Sequence, residues 1–299
     1  MNNLNISPAM PAWHISTPEN HEIIFRTIED FKTGMSLVGI TSRLVPSITI
    51  LTFELMSNHM HFCIIGNLED IKRFMKLLAY FLERYFKAKG RLIDLSEVAA
   101  TAPRQLNSAL EIRNVLSYDN RNGFLVNPNT HPFSYPWGAN KYFFNPEARL
   151  RYAKESIPLS IREIRKITRS RKADKIPAGL KIIDGYICPL SFCDIEAAES
   201  YYRNASNYFY ELSRNIESHR TIAKEIGENI IYSDDELFRI VNSIGKERFG
   251  NLPLTSLSQD QKTELAITMH FEYKATKKQI ARMLKLDIGV LDIIFPTPQ

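Results

Sequence analysis

The 299-residue chain has no apolar run of the roughly 18 residues a membrane-spanning helix needs, so no such span is expected. Met1 to Pro11 lack the basic-then-apolar order of a secretory signal. The three cysteines, Cys63, Cys188 and Cys193, form no C-x-x-C pair. That argues against a disulfide framework and a zinc knuckle, and for a reducing compartment, hence a cytoplasmic protein. Internal repeats and low-complexity tracts are also absent. Hydrophobic residues make up 44% and charged residues 24%, which fits a packed soluble chain and not a disordered one.

What is present is basic charge in two places. The net charge of +5 says little alone. However, Lys72, Arg73, Lys76, Arg84, Lys87, Lys89 and Arg91 lie close together, as do Arg162, Arg165, Lys166, Arg169, Arg171, Lys172 and Lys175. Either cluster by itself is as readily a solvated helix face; two in one chain favour a polyanionic partner.

Residue patterning places strands at Ala12–Thr17, Ser47–Met56 and Met60–Gly66, the last two joined by a Ser57-Asn58 turn into a hairpin. Helices are expected over Thr27–Thr41, Asp70–Lys89 and Gln105–Arg121, the last closed by Asn122-Gly123. Phe124–Asn127 reads as extended, and Asn127–Asn140 as a Pro- and Asn-rich loop. Past Phe144 strand signals fade. Helical patterns take over at Glu196–Arg220, Ser233–Gly245, Ser258–Tyr273 and Thr276–Leu284. These features predict an α+β domain over residues 1–148, with a mainly helical region over 149–299. A helix-turn-helix-like unit is expected near 258–296, its first helix capped by Thr276 and Gln279. Its second helix, Ile288–Phe295, has no Lys or Arg, which favours packing over base reading.

Two constellations carry chemistry. In Asn58-His59-Met60-His61-Phe62, a strand would project His59 and His61 from one face and Met60 and Phe62 from the other. Two imidazoles so placed can share a metal ion, although H-x-H alone is a weak pattern. Tyr118 and Asn122 lie one turn apart on the polar side of their expected helix, opposite Ala109, Ile112 and Leu116. An ion on His59 and His61, with Asn122 as a third ligand, would polarise a phosphate for attack by the Tyr118 oxygen. Histidine ligands alone would suit zinc, manganese or nickel.

These residues resemble a known family. Met56-Ser57-Asn58-His59-Met60-His61-Phe62 is similar to the M-P-N-H-x-H motif of single-tyrosine HUH transposases, particularly the REP-associated tyrosine transposases. Trp13-His14-Ile15 with Ile24-Phe25-Arg26 resembles their first strand and the start of their first helix. Arg73-Phe74-Met75 through Tyr85-Phe86-Lys87 resembles the helix that follows the histidines. Tyr118-Asp119-Asn120-Arg121-Asn122-Gly123 resembles Y-I-x-x-N-P, and Tyr135-Pro136-Trp137 resembles the Y-P-W after it. The resemblance covers about residues 12 to 140 in order. Ser57 and Gly123 replace prolines, Asp119 replaces an aliphatic residue, and the W-Q-x-R-Y-K tract is not recognisable at 91–104.

The resemblance implies a ferredoxin-like antiparallel sheet with helices on one face, the HUH endonuclease fold. It also implies a nucleoid-associated DNA endonuclease and strand transferase with Tyr118 as nucleophile. His59, His61 and Asn122 would be ligands for Mg2+ or Mn2+, and single-stranded or hairpin DNA the partner of a monomer or homodimer. Lys72, Arg73, Lys76, Lys87, Lys89, Arg91, Arg165, Lys166 and Arg169 are the expected DNA contacts. The alternative is a catalytically silent DNA-binding protein on the same fold.

Overall fold

The computed structural model describes residues 10–18, 23–126, 135–169, 179–213, 234–273 and 275–295, except for the side chains of 122–126, 213 and 234–236. The chain divides into two compact units, Met1–Phe124 with Asn129–His219, and Leu125–Pro128 with Arg220–Gln299. Among the described residues no helix is long and apolar enough to cross a membrane.

The first unit is built on strand β1 (Ala12–Ser16), helix α1 (Ile28–Leu44), the hairpin β2 (Thr49–Leu55) and β3 (Met60–Ile65), helices α2 (Leu68–Ala88) and α3 (Ser96–Ala100), and β4 (Arg104–Leu106). The strands form one antiparallel sheet in the order β2-β3-β1-β4. Thr27 starts α1 with a capping box: its hydroxyl accepts from Asp30 N, and the Asp30 carboxylate accepts from Thr27 N, each at 3.2 Å.

Strand alternation sorts the sheet into two faces. Ile15, Phe53 and Phe62 share one, where Phe62 meets Phe74 of α2 edge-on at 5.5 Å. Burying a side chain of this size contributes about 1.5–3 kcal/mol, so this face supplies much of the core. Gly34 of α1 lets Phe25 and Leu55 close against it, since an added Cβ would stand 2.6 and 2.9 Å from their carbons. The other face carries His14, His61, Cys63, Thr52 and Glu54, all buried. Helix α4 (Ala109–Val126) covers it, with His14 bonded to Asp119 and Thr52 to Asn120. Helices therefore flank both faces, not one as expected.

Further expectations are corrected. The helix placed at Gln105–Arg121 begins later, because Arg104, Gln105 and Leu106 pair with His14, Trp13 and Ala12 as β4. It also continues through Gly123 to Val126, where a stop and an extended piece were expected. A glycine inside a helix costs only about 1 kcal/mol, less than the packing of a segment buried from Val115 to Arg121 can supply.

Nor do strands end at Phe144. After helix α5 (Pro146–Glu155), a second antiparallel sheet is formed by β5 (Ile157–Pro158), β6 (Lys181–Ile183) and β7 (Tyr186–Ile187), with helix α6 (Ile161–Thr168) between β5 and β6. Asp184 and Gly185 join β6 to β7 with φ of 56° and 84°, the left-handed pair of a tight hairpin turn.

This segment packs on α1: Ile187 N donates to Ser36 Oγ at 3.2 Å, and a Cβ at Gly39 would stand 2.9 Å from Ile187 and Phe192. Asp194 N also donates to Ile50 O at 2.9 Å, at the edge of the main sheet. The first unit thus runs well past the boundary placed at 148/149. The helix expected over Glu196–Arg220 is interrupted, with α7 (Ile195–Glu199) and α8 (Ala205–Ser213) separated by a bend.

The second unit contains α9 (Asp234–Phe249), α10 (Gln259–Phe271), α11 (Lys277–Leu284) and α12 (Ile288–Ile294). Leu237, Val241, Leu265, Met269, Ile280, Leu284, Leu291 and Phe295 form its core. Thr276 and Gln279 make the capping box that the sequence predicts. Helix α12 presents Ile288, Asp292 and Ile293 to solvent and no cation, so its outer face lacks the donors of a major-groove reader.

Candidate metal and tyrosine site

β3 lies inside the sheet and sends His61 toward α4. His59, two residues earlier at the end of the turn, has its ring 4.8 Å from that of His61 at 82°. The two imidazoles are therefore neighbours, as the H-x-H spacing predicts. β1 adds a third. His14 and His61 lie diagonally across the β1–β3 ladder on one face, their rings nearly parallel with centroids 6.0 Å apart.

From α4, Asp119 Oδ1 stands 3.0 Å from His14 Nε2 and 3.7 Å from His61 Nδ1. His14, His61 and Asp119 each bring a donor atom within 4.8 Å of the other two, a buried group able to hold a metal ion. The Tyr118 ring lies beside it, with its centroid 5.8 Å from that of His61 and 6.3 Å from that of His14.

Burial governs the electrostatics here. It pushes His59 down to about 4, so the imidazole is neutral near pH 7 and its lone pair is not protonated. It also pushes the Asp119 carboxyl up, against the pull of His14. Cys63 is driven well up by burial and the nearby Asp119 charge, which keeps it a neutral thiol and a poor ligand. His59 Nδ1 is engaged with Asn58 Oδ1 at 2.9 Å.

His61 belongs to the three-residue group and His59 flanks it, while the Asn122 side chain lies outside the described residues. Sequence reasoning singled out neither His14 nor Asp119. Tyr118 lies beside the histidines, 4% exposed and not on a solvated face. The reason is that α4 is covered on a second side. Ser117 meets the Tyr202 hydroxyl at 2.9 Å, Asn120 Nδ2 donates to Tyr208 Oη at 2.9 Å, and Asn140 Nδ2 donates to Asn120 O at 2.9 Å. Tyr135, the other tyrosine in the resemblance, donates its hydroxyl to Leu55 O at 2.6 Å, and burial with the Glu54 charge pushes its pKa well up.

The basic residues separate into two groups. Lys89 Nζ and Arg91 Nη1 lie 2.8 and 3.2 Å from the carboxylate of buried Asp30, which also accepts from Tyr85 Oη at 2.9 Å. Both cations are engaged by a buried carboxylate, Lys89 from an exposed position and Arg91 from a half-buried one. Lys72 pairs with Glu69 at 3.0 Å on the surface of α2. Arg73, Lys76 and Lys87 on α2, Arg165 and Lys166 on α6, and Arg169 just past its end, are exposed. Arg84 of α2 donates to the carbonyl of Arg169, so the two clusters meet. Arg171, Lys172 and Lys175 lie outside the described residues. Comparison with protein-family models, with curated proteins and with solved structures finds no match.

Proposed function

We propose that the chain is a metal-dependent single-stranded DNA endonuclease and strand transferase of the single-tyrosine HUH kind. The observation that carries the reading is the Tyr118 ring 5.8 Å from that of His61, beside a group able to hold an ion. The β-α-β-β-α-β connectivity with sheet order β2-β3-β1-β4 supports a ferredoxin-like core. Helix α4 on the histidine face supports the HUH arrangement.

His61, with His59 or with His14 and Asp119, would hold a divalent ion, which would supply Lewis-acid charge at a bound phosphate. Tyr118 Oη forms the bond to phosphorus and the P–O3′ bond breaks. The phenol proton passes to water, and the departing 3′ oxygen takes one from water. The products are a 5′-phosphotyrosine and a free 3′-hydroxyl. In strand transfer a 3′-hydroxyl attacks the phosphotyrosine, restoring a phosphodiester and releasing Tyr118. Helix α4 holds the nucleophile, and a rigid element positions a reacting group more closely than a loop does. The exposed cations of α2 and α6 would neutralise backbone phosphates of single-stranded or hairpin DNA.

The burial of Tyr118 favours a second reading, a silent DNA-binding protein, because a scissile phosphate has to reach its oxygen. Labelled single-stranded DNA from the flanks of the gene, incubated with and without Mg2+ or Mn2+, separates the two. The nuclease reading expects a covalent adduct that survives denaturation and disappears without metal. Binding with no adduct under any metal refutes it and leaves the binder.

A further inference from the structure

We infer that the chain holds a zinc-type transition ion on His14 Nε2, His61 Nδ1 and Asp119. This differs from an oxygen-preferring ion such as Mg2+ on the His59–His61–Asn122 set. The inference concerns metal binding alone and does not require that any strand be cut.

Geometry comes first. Four ligands at about 2.0–2.1 Å around zinc stand about 3.3 Å from one another. The Asp119 Oδ1 separations, 3.0 Å to His14 and 3.7 Å to His61, bracket that edge. All three donors fall within 4.8 Å of one another, so modest side-chain movement closes the site.

Donor chemistry comes next. Two imidazoles and one carboxylate form the three-ligand set of a catalytic zinc site, leaving a fourth position for water or substrate. Mg2+ dehydrates reluctantly and prefers oxygen donors, so two nitrogens in a buried site suit it poorly.

A plain buried His–Asp pair does not account for the whole arrangement. It would need Oδ1 and His14 only. Asp119 Oδ2 is also buried and has no hydrogen-bond partner among the described residues, and His61 converges on Oδ1 from the neighbouring strand. A buried carboxylate oxygen without a partner is costly, and a cation beside it offsets that cost.

The test uses the full chain, stripped of metal and titrated with Co2+ and then Zn2+. Visible Co2+ bands of a low-coordinate nitrogen–oxygen site should appear and be abolished by Zn2+. They should persist in about 100-fold excess Mg2+, given its preference for oxygen donors. X-ray absorption of the zinc-loaded wild type should count at least two imidazoles. His14→Ala should weaken Co2+ binding by more than the roughly 10–100-fold that loss of an outer partner causes. Asn122→Ala should leave it unchanged. Asp119→Asn, which keeps the side chain's shape, should weaken Co2+ binding likewise and keeps the test decisive if His14→Ala misfolds, and unchanged binding in it would overturn the inference. Absent Co2+ bands, displacement by Mg2+, fewer than two imidazoles, or loss of binding in Asn122→Ala would overturn the inference. A zinc-loaded protein that never forms a DNA adduct sinks only the nuclease reading. Co2+ binding retained in His14→Ala, beside an Mg2+-dependent adduct, sinks only the zinc site.

Discussion

Asp30 offers the sharpest test of how the fold uses its charges. Its carboxylate is 1% exposed and accepts from Arg26 N, Thr27 N, Tyr85 Oη, Lys89 Nζ and Arg91 Nη1. Asp30→Ala removes one half of the α1 capping box, worth about 1 kcal/mol. It also strips two cations and a phenol of their shared acceptor. Breaking a fully buried ion pair costs about 3–5 kcal/mol. Lys89 and Arg91 are 35% and 18% exposed, so water recovers part of that. A net loss of about 3 kcal/mol follows from these two terms. At about 2–4 °C per kcal/mol for a unit of this size, Tm should fall by about 6–12 °C.

The loss should depend on pH in a defined way. Burial raises the Asp30 pKa, but the bonds from Lys89, Tyr85 and Arg26 outweigh it and hold the carboxyl below its ordinary 3.8. A depressed folded-state pKa stabilises above the unfolded value, and that stability is lost as pH falls through the folded value. The gap between wild type and Asp30→Ala should therefore be constant above about pH 5 and narrow below about pH 4. Urea unfolding at several pH values measures it. A gap under about 0.5 kcal/mol at pH 7, the size of an ordinary surface change, refutes the reasoning.

The remaining predictions concern charge, chemistry and packing. Lys76→Ala and Lys87→Ala should each lower the slope of log K against log salt for DNA binding by about 1, whereas Lys89→Ala should leave the slope unchanged and lower Tm; a reduced slope for Lys89→Ala would restore it as a DNA contact. Tyr118→Phe should abolish the covalent adduct while retaining DNA binding, and Tyr135→Phe should retain the adduct, as read on a denaturing gel. An adduct from Tyr118→Phe would shift the nucleophile elsewhere. Gly34→Ala should destabilise by about 1–3 kcal/mol in urea, through the clash of its Cβ with Phe25 and Leu55.

Local chemistry made much of the fold legible. The Ile-, Thr- and Phe-rich run before Ser57-Asn58 gave the hairpin, and the apolar stripe from Ile71 to Phe86 gave α2 almost to its ends. What escaped was set by partners far away in sequence. Arg104–Leu106 is a strand only because β1 is beside it. Asp184-Gly185, by contrast, is a turn signal the sequence carries plainly. Its flanking strands are only three and two residues long, too short for alternation to show. The ion pairs follow the same logic: a count of Lys and Arg cannot reveal that Asp30, 59 residues before Lys89 and 61 before Arg91, accepts from both.

The candidate site shows the same division within a few ångströms. H-x-H exposes His59 and His61 because strand periodicity acts over two residues. His14 joins them only through the β1–β3 register, and Asp119 only because α4 lies over both strands, 105 residues after His14. Consecutive helical residues point about 100° apart, so Tyr118 and Asp119 cannot occupy one spot. Yet Asp119 touches His14, and the Tyr118 ring sits edge-on to both His14 and His61. Helix α4 therefore straddles the two histidines, with a candidate ligand on one side and a candidate nucleophile on the other. A helix so placed couples the two roles mechanically. A rotation of α4 would move Tyr118 and Asp119 together, so an ion held by Asp119 and His14 would fix the angle at which α4 holds the Tyr118 ring.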